Sequence, residues 1–219
     1  MDAEMSKTET MSKDAIGLIA DGRRRRGARS RAAILSHAIG IASREGLDGL
    51  TIGRIASDAG ISKGNVTVLF GDKQAIQVAT LDAAVELFVA RVVAPAAGHK
   101  SPLRRLRALV EGWFDFVEQR VLPGGCMLYA TCSEYRARPG RIRERAVQHR
   151  EAWTRQLASA AREAKKMKEL DADLDVEQLV FELTAFQSIA NTAALAGDRD
   201  ALARARRSSL QRIRSGNTA

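Results

Sequence analysis

The stretch from Thr51 to Phe70 constrains the fold of this chain more than any other feature. Its apolar residues recur at the spacing that packs two short helices against each other across a sharp corner. They are Ile55, Ala59, Ile61, Val66 and Leu69. Gly60 lies at the corner, where glycine adopts a positive φ without steric cost, and Ser62 can cap the next helix. The stretch predicts a helix-turn-helix, whose second helix enters the major groove of DNA.

The residue pattern in the remainder of the chain also predicts helices, and no segment has the pattern of a strand. Only 5% of the residues are aromatic and four are prolines, a composition that favours an all-α protein. Apolar residues at a 3.6-residue period, interrupted by glycine and proline, predict nine helices. Their approximate bounds are 30–45, 52–59, 63–70, 73–94, 102–121, 126–137, 142–169, 176–196 and 199–214. We expect a flexible arm at 1–28, a helix-turn-helix domain of three helices at 29–74, and a second helical domain at 75–219.

An arginine run precedes the first predicted helix. The segment from Arg23 to Arg31 holds six arginines and no acidic residue, in a chain of formal net charge +9. A flexible arm of this kind can lie in a minor groove or along phosphates, where it adds salt-dependent affinity. We therefore expect Arg23, Arg24, Arg25 and Arg26 to contact DNA. The alternative is a solvated tail in a chain that is rich in arginine throughout.

The predicted eighth helix, 176–196, is apolar on more than one face. A helix with two apolar sides is usually enclosed, either within a core or against another subunit. Because a polar ninth helix follows it, we expect the eighth and ninth helices to form a homodimer interface. The alternative is burial of the eighth helix within the core of one subunit.

Other classes of protein find little support in the sequence. Cys126 and Cys132 are too few for a disulfide framework or a zinc site, and we expect packed, reduced thiols. His37, His99 and His149 lie far apart, with no glycine-rich phosphate loop or metal-spaced cluster, so we expect no enzyme, cofactor or metal. No apolar run reaches the roughly 18 residues that span a membrane, and the N-terminus is acidic and polar rather than signal-like. We expect a cytoplasmic protein that does not bind membranes.

A specific pattern covers about 50 residues around the helix-turn-helix. It runs Glu45-Gly46, Thr51-Ile52, Ile55-Ala56, Ala59-Gly60-Ile61-Ser62, Gly64, Val66-Thr67, Phe70 and Lys73. With these residues the chain resembles the TetR/AcrR family of bacterial transcriptional regulators. The segment GGCMLYATCSEYRARPGRIRER resembles one branch of that family more loosely. The resemblance implies a homodimeric repressor that binds a double-stranded DNA operator through its helix-turn-helix. A small, lipophilic effector bound in the C-terminal domain would release it.

The resemblance also implies which residues touch DNA. They are Thr51, Ser62, Lys63, Gly64, Asn65, Thr67 and Lys73. Lys63 can reach a guanine edge or a phosphate, and Asn65 can pair with adenine. Thr51 would touch a phosphate, although a plain helix cap is an equal alternative. Thr67 stands where the family usually has Tyr, and Leu69 stands where it usually has His or Tyr. Some of the family's usual contacts with the DNA backbone are therefore missing.

The resemblance further implies an apolar effector cavity in the second domain. Its expected lining is Phe88, Trp113, Phe114, Val117, Met127, Tyr129, Trp153, Phe181 and Phe186. Each of these residues could instead be plain core. Glu134 and His149 are candidates to anchor a polar group of the effector. Two other functions stay open, a non-specific architectural DNA-binding protein and a regulator that has no effector.

Overall fold

The computed structural model describes residues 25–216, and this part of the chain contains nine helices and no strand. Helix α1 covers residues 25–45. It is followed by α2 (Ile52–Asp58), α3 (Lys63–Phe70), α4 (Lys73–Phe88, continued by a π turn at Val89–Val93 and a last turn at Ala94–Ala97), α5 (Pro102–Glu118), α6 (Met127–Glu134), α7 (Arg141–Lys166), α8 (Val176–Leu195) and α9 (Arg199–Ser215). For these residues, the prediction of an all-α fold with nine helices is confirmed. None of these helices is both long enough and apolar enough to cross a membrane.

Local chemistry sets the ends of the helices between residues 46 and 75. Thr51, Ser62 and Asp72 cap α2, α3 and α4, and each side chain accepts a hydrogen bond from the N–H three residues ahead at 2.7–3.1 Å. Gly46 ends α1 with φ +81°, and Gly60 makes the corner between α2 and α3 with φ +65°. Gly60 and Ser62 act as the sequence predicts, and Thr51 is a helix cap.

The first three helices, here called the head, share one apolar centre. Its most buried residues are Ile41, Leu47, Leu50, Ile55 and Val66. The remaining helices form the body, in which α5 carries the largest buried side chains, Trp113 and Phe114. Helices α8 and α9 pack along each other at one side of the body. The head is therefore a small three-helix bundle attached to a larger helical domain.

Helix α1 extends further towards the N-terminus than the sequence predicts. Residues 25–28, expected in a flexible arm, are helical. Arginine is a good helix former, and the next turn of α1 is held in place by Arg31. Its guanidinium donates a hydrogen bond to the Leu69 carbonyl at 2.8 Å and lies 4.2 Å from the centre of the Phe70 ring. Arg23 and Arg24 lie outside the described residues.

Helix α4 also continues beyond its predicted end at Ala94, the residue before Pro95. Before the proline, a π turn at Val89–Val93 widens the helix, with the Ala94 N–H bonded to the Val89 carbonyl. Proline has no N–H to give to the helix and its ring crowds the preceding turn, so the wider turn lets the helix continue to Ala97. Gly112 of α5 packs close to this turn, since an added Cβ would lie 3.2 Å from Val92.

Candidate nucleic-acid interface and effector cavity

Helix α3 presents one side of the head to the outside. Val66 and Phe70 are buried in the head, and they fix the rotation of the helix about its axis. At 3.6 residues per turn, the side opposite them carries Gly64 and Val68. Val68 is 87% exposed. Val68 is not among the residues that the sequence places on DNA, because an isolated apolar residue in an amphipathic helix gives no signal that distinguishes a surface position from a core position.

Polar side chains flank this outward side of α3. Lys63 and Thr67 lie on one flank and Asn65 on the other, and all three are exposed. The stem of Lys63 lies over α2 at Gly53, where an added Cβ would be 3.2 Å from the Lys63 Cε. The Thr67 hydroxyl donates a hydrogen bond to the Lys63 carbonyl at 3.1 Å, so its proton is used within the helix. Lys63 and Asn65 are therefore the side chains on these flanks best placed to donate to a ligand.

The other predicted DNA contacts lie around the edge of the head. Thr51 and Ser62 are exposed, but their hydroxyl oxygens already cap α2 and α3. Lys73 donates a hydrogen bond from Nζ to the Asp48 carbonyl at 2.9 Å. Arg25 and Arg26 are exposed on the first described turn of α1. Contacts with DNA by any of these residues stay predictions.

The turn that joins α1 to α2 is held by the body. Glu134, the last residue of α6, accepts hydrogen bonds from the backbone N–H groups of Leu47 at 3.0 Å and Asp48 at 2.8 Å. Arg138 pairs with the Asp48 carboxylate at 3.1 Å. An added Cβ on Gly46 would lie 3.0 Å from the Glu134 carboxylate. These contacts, from Glu134 and Arg138 to the turn at Gly46, Leu47 and Asp48, are called the head clamp below.

A second part of the body touches the head at the end of α1. The Gly124 N–H donates a hydrogen bond to the Ser43 hydroxyl at 2.7 Å. An added Cβ on Gly124 would lie 1.5 Å from the Ser43 carbonyl oxygen, so this approach requires glycine. Two residues later, the Cys126 N–H donates to the Asn191 side-chain oxygen at 2.7 Å. The loop before α6 is thus fastened to α1 at one end and to α8 at the other.

Most of the predicted effector residues form the core of the body. Those that are buried are Trp113, Phe114, Val117, Met127, Tyr129 and Trp153. Phe88 is half-buried and packs edge to face against Trp153, with ring centres 5.1 Å apart. The cavity beside Phe88 and Met127 has a volume of about 10 Å³, which is room for about one water molecule. An effector could enter this cluster only if the surrounding helices moved apart.

Phe181 and Phe186 do not enclose this cavity. Phe181 is 67% exposed, and Phe186 lines an open groove between α8 and α9. Phe181 lies outside any internal cavity of the described residues, because α8 buries Leu179 and Leu183 and thereby turns Phe181 outward. Ile189, which is 65% exposed, shares the outward side. Burial of α8 within the core of one chain does not account for this second apolar face.

A buried amide at the centre of the aromatic cluster was not predicted from the sequence. The Gln187 side-chain oxygen accepts hydrogen bonds from the Tyr129 hydroxyl and the Trp153 indole N–H, both at 2.9 Å. An indole N–H can only donate, so the amide oxygen must face it. This leaves the buried Gln187 Nε2 without a partner among the described residues. Burial also raises the pKa of Tyr129, which keeps its hydroxyl protonated as a donor.

The two candidate polar anchors have structural partners. His149 and Arg145 on α7 both bond to the Asp82 carboxylate on α4, each at 2.6 Å. Burial favours a raised pKa for Asp82, but the hydrogen bonds from Arg145 and His149 outweigh it and lower the pKa. Glu134 belongs to the head clamp. Both candidates therefore connect helices, which no local sequence pattern could indicate.

The cysteines and the remaining polar residues give no sign of redox or metal chemistry in the described part of the chain. Cys126 is buried, Cys132 is half-buried, and both are free thiols, as expected. Burial raises the pKa of both cysteines, so they remain protonated and weakly reactive near neutral pH. Between residues 25 and 216, no group of three or more His, Cys, Asp or Glu residues could hold a metal ion.

Two family models match this chain, and together they cover most of the described helices. Residues 34–80 match the model described as bacterial regulatory proteins, tetR family. Residues 102–209 match the model described as tetracyclin repressor-like, C-terminal domain. No curated protein matches the chain significantly.

Solved structures share the fold at low sequence identity. A TetR transcriptional regulator from Chloroflexus aurantiacus is 22% identical, with 88% of this chain and 98% of that chain covered and a TM-score of 0.81. A putative transcriptional regulator from Saccharomonospora viridis, solved with choline, is 23% identical, with 88% and 99% covered and a TM-score of 0.74. AibR, solved with isovaleryl coenzyme A and operator DNA, is 18% identical, with 74% and 86% covered and a TM-score of 0.61.

Proposed function

Because this chain belongs to the TetR family of transcriptional regulators, we propose that it is a homodimeric repressor that a small, lipophilic effector releases from a specific DNA operator. The family consists of regulators and not of enzymes. The observation that carries the proposal is the outward side of α3. Its bare Gly64 is flanked by exposed Lys63 and Asn65, and such side chains can reach base edges in a major groove.

The second apolar face of α8 supports the homodimer. Phe181 and Ile189 are the two most exposed large apolar side chains of this face. An exposed apolar patch of this kind marks an interaction site, and symmetric pairs are the commonest oligomers. In a dimer, two copies of α3 would meet successive major grooves about 34 Å apart. The operator would then consist of two half-sites related by the symmetry of the dimer.

The aromatic cluster of the body is the candidate site for the effector, which would enter it by moving the surrounding helices apart. The unpaired Gln187 Nε2 favours a lipophilic molecule that carries a hydrogen-bond acceptor, because a buried donor without a partner is costly. Met127 and Tyr129 lie on α6, the helix that ends at Glu134 in the head clamp. An effector that moved α6 would therefore pull on the turn between α1 and α2, and thereby on the orientation of α3. The relatives solved with choline and with isovaleryl coenzyme A support a small-molecule ligand for this chain.

The proposal is tested by binding the protein to duplexes that tile the DNA beside its own gene, near physiological salt. Fluorescence anisotropy should find one duplex that binds roughly a thousandfold more tightly than scrambled DNA. Uniform and steeply salt-dependent binding to every duplex would instead support the architectural alternative. Failure to bind any duplex, including selected random sequences, would contradict both.

The arginine run from Arg23 to Arg31 gives a second prediction. Substitution is preferable to truncation, because residues 25–29 belong to α1. Replacing Arg25 and Arg26 with Gln should weaken binding to operator and scrambled DNA by the same factor. The plot of log affinity against log salt should become shallower, with its slope reduced in magnitude by up to about 0.9 for each phosphate that the variant no longer neutralises.

The same measurement with Arg23 and Arg24 replaced shows whether the contacts continue along the segment. The matched control replaces two exposed arginines of α7, Arg143 and Arg155, and should leave the slope unchanged. If the slope is unchanged both when Arg25 and Arg26 are replaced and when Arg23 and Arg24 are replaced, the arginine run is a solvated segment without a role in DNA binding.

A further inference from the structure

Val68 is an apolar side chain with no role in the packing of this chain. It is the most exposed large apolar residue of the described part, more exposed than Phe181 on the α8 face. It lies on the recognition helix α3, directly opposite the side that Val66 and Phe70 bury in the head. Neither the head core nor any capping interaction uses Val68. Its position on the surface leaves it free to contact a partner outside the chain.

Val68 lies at the centre of the outward side of α3, which is the side that would meet DNA. Gly64 lies one turn earlier on the same side, and it has no side chain of its own. An added Cβ there would meet only the Ser62 hydroxyl, at 3.7 Å, so the space above Gly64 is open to the outside. The second helix of a helix-turn-helix inserts into the major groove. With Gly64 bare, the backbone could approach the bases closely, and Val68 would then face the floor of the groove.

Only one base offers an apolar partner in that groove. Valine can neither donate nor accept a hydrogen bond, so it cannot read the polar edges of the bases. Thymine alone carries a C5-methyl group in the major groove. We infer that Val68 packs on a thymine methyl in each half-site of the operator, and so selects thymine at that position. This inference rests on the proposed function, since it requires that α3 read a specific sequence.

The test starts by selecting operators from a random duplex library with the full-length wild-type protein. Each thymine of the selected consensus is then replaced by deoxyuridine, which keeps base pairing and removes only the methyl group. At one position per half-site, we expect affinity to fall about fourfold, and about fifteenfold when both half-sites are changed. The variant Val68→Ala should reduce the deoxyuridine effect at that position to less than about twofold.

A matched substitution separates this contact from a general effect of removing methyl groups from the protein. Val147 on α7 is also exposed, so Val147→Ala should keep the full deoxyuridine effect. A library that yields no enriched sequence would overturn the proposed function and the inference together. An enriched consensus without a methyl-sensitive thymine, or with one whose sensitivity is the same in Val68→Ala, would overturn the inference alone.

Discussion

The variant Gly64→Glu is expected to bind the operator at least a hundredfold more weakly than the wild type, with an unchanged or slightly higher melting temperature. The space beyond Gly64 is open, with only the Ser62 hydroxyl within 4 Å of an added Cβ, so the fold has room for a side chain. Replacing glycine in a helix also improves helix propensity by up to about 1 kcal/mol. In the complex, however, the carboxylate would lie between α3 and DNA. Like-charge contact at an interface costs several kcal/mol, and about 3 kcal/mol corresponds to the hundredfold loss.

Two controls isolate this effect. Gly64→Ala adds only a methyl group and should weaken binding far less than the glutamate does. Ala152→Glu adds the same charge at an exposed position of α7, away from the head, and should leave operator affinity within about twofold of the wild type. Anisotropy titrations give the affinities, and thermal unfolding by circular dichroism reports stability. Operator binding by Gly64→Glu at wild-type affinity would exclude the outward side of α3 as the DNA-reading surface.

Gly124→Ala is expected to lower the free energy of unfolding by at least about 3 kcal/mol, which corresponds to a fall of about 6–12 °C in melting temperature. The new Cβ would lie 1.5 Å from the Ser43 carbonyl oxygen, which is a backbone atom and cannot rotate away. Either the loop or α1 must therefore move. Movement would also strain the hydrogen bonds of this loop to Ser43 and Asn191.

The matched control is Gly98→Ala, at the end of α4. Gly98 has φ −69°, and its added Cβ would lie 3.5 Å from the Pro95 carbonyl oxygen, an ordinary contact. This variant should change the free energy of unfolding by less than about 1 kcal/mol. Urea titrations of both variants at one protein concentration provide the comparison. Equal stability of the two variants would contradict the close approach of α1 and the loop before α6.

The sequence predicts those parts of the fold that depend on neighbouring residues. The predicted bounds of α3 agree with the structure at both ends, because Ser62 caps its start and Gly71 follows its end with a positive φ. Regular spacing of apolar residues likewise predicts the number of helices in the described part of the chain. Such features depend on interactions within a few residues, which a single sequence contains.

Contacts between distant residues could not be predicted in this way. Glu134 meets Leu47 and Asp48 across more than 80 residues, and Gly124 meets Ser43 across a similar separation. In the sequence, Glu134 is one acidic residue among 26 Asp and Glu, and Gly124 is simply a helix terminator. The outward direction of Phe181 was missed for a related reason. Periodicity indicates that α8 has two apolar sides, but it does not say which side faces the body.

The head clamp limits how freely parts of this protein could be exchanged with those of relatives. A graft of residues 25–70 onto a foreign body would separate the Leu47 and Asp48 N–H groups from the Glu134 carboxylate, and Asp48 from Arg138. Engineered hybrids that are joined at the start of α4 would therefore lose these contacts between the head and the body, even if each half folds. A transplantable unit comprises the head together with the end of α6, two segments that the chain itself keeps some 60 residues apart.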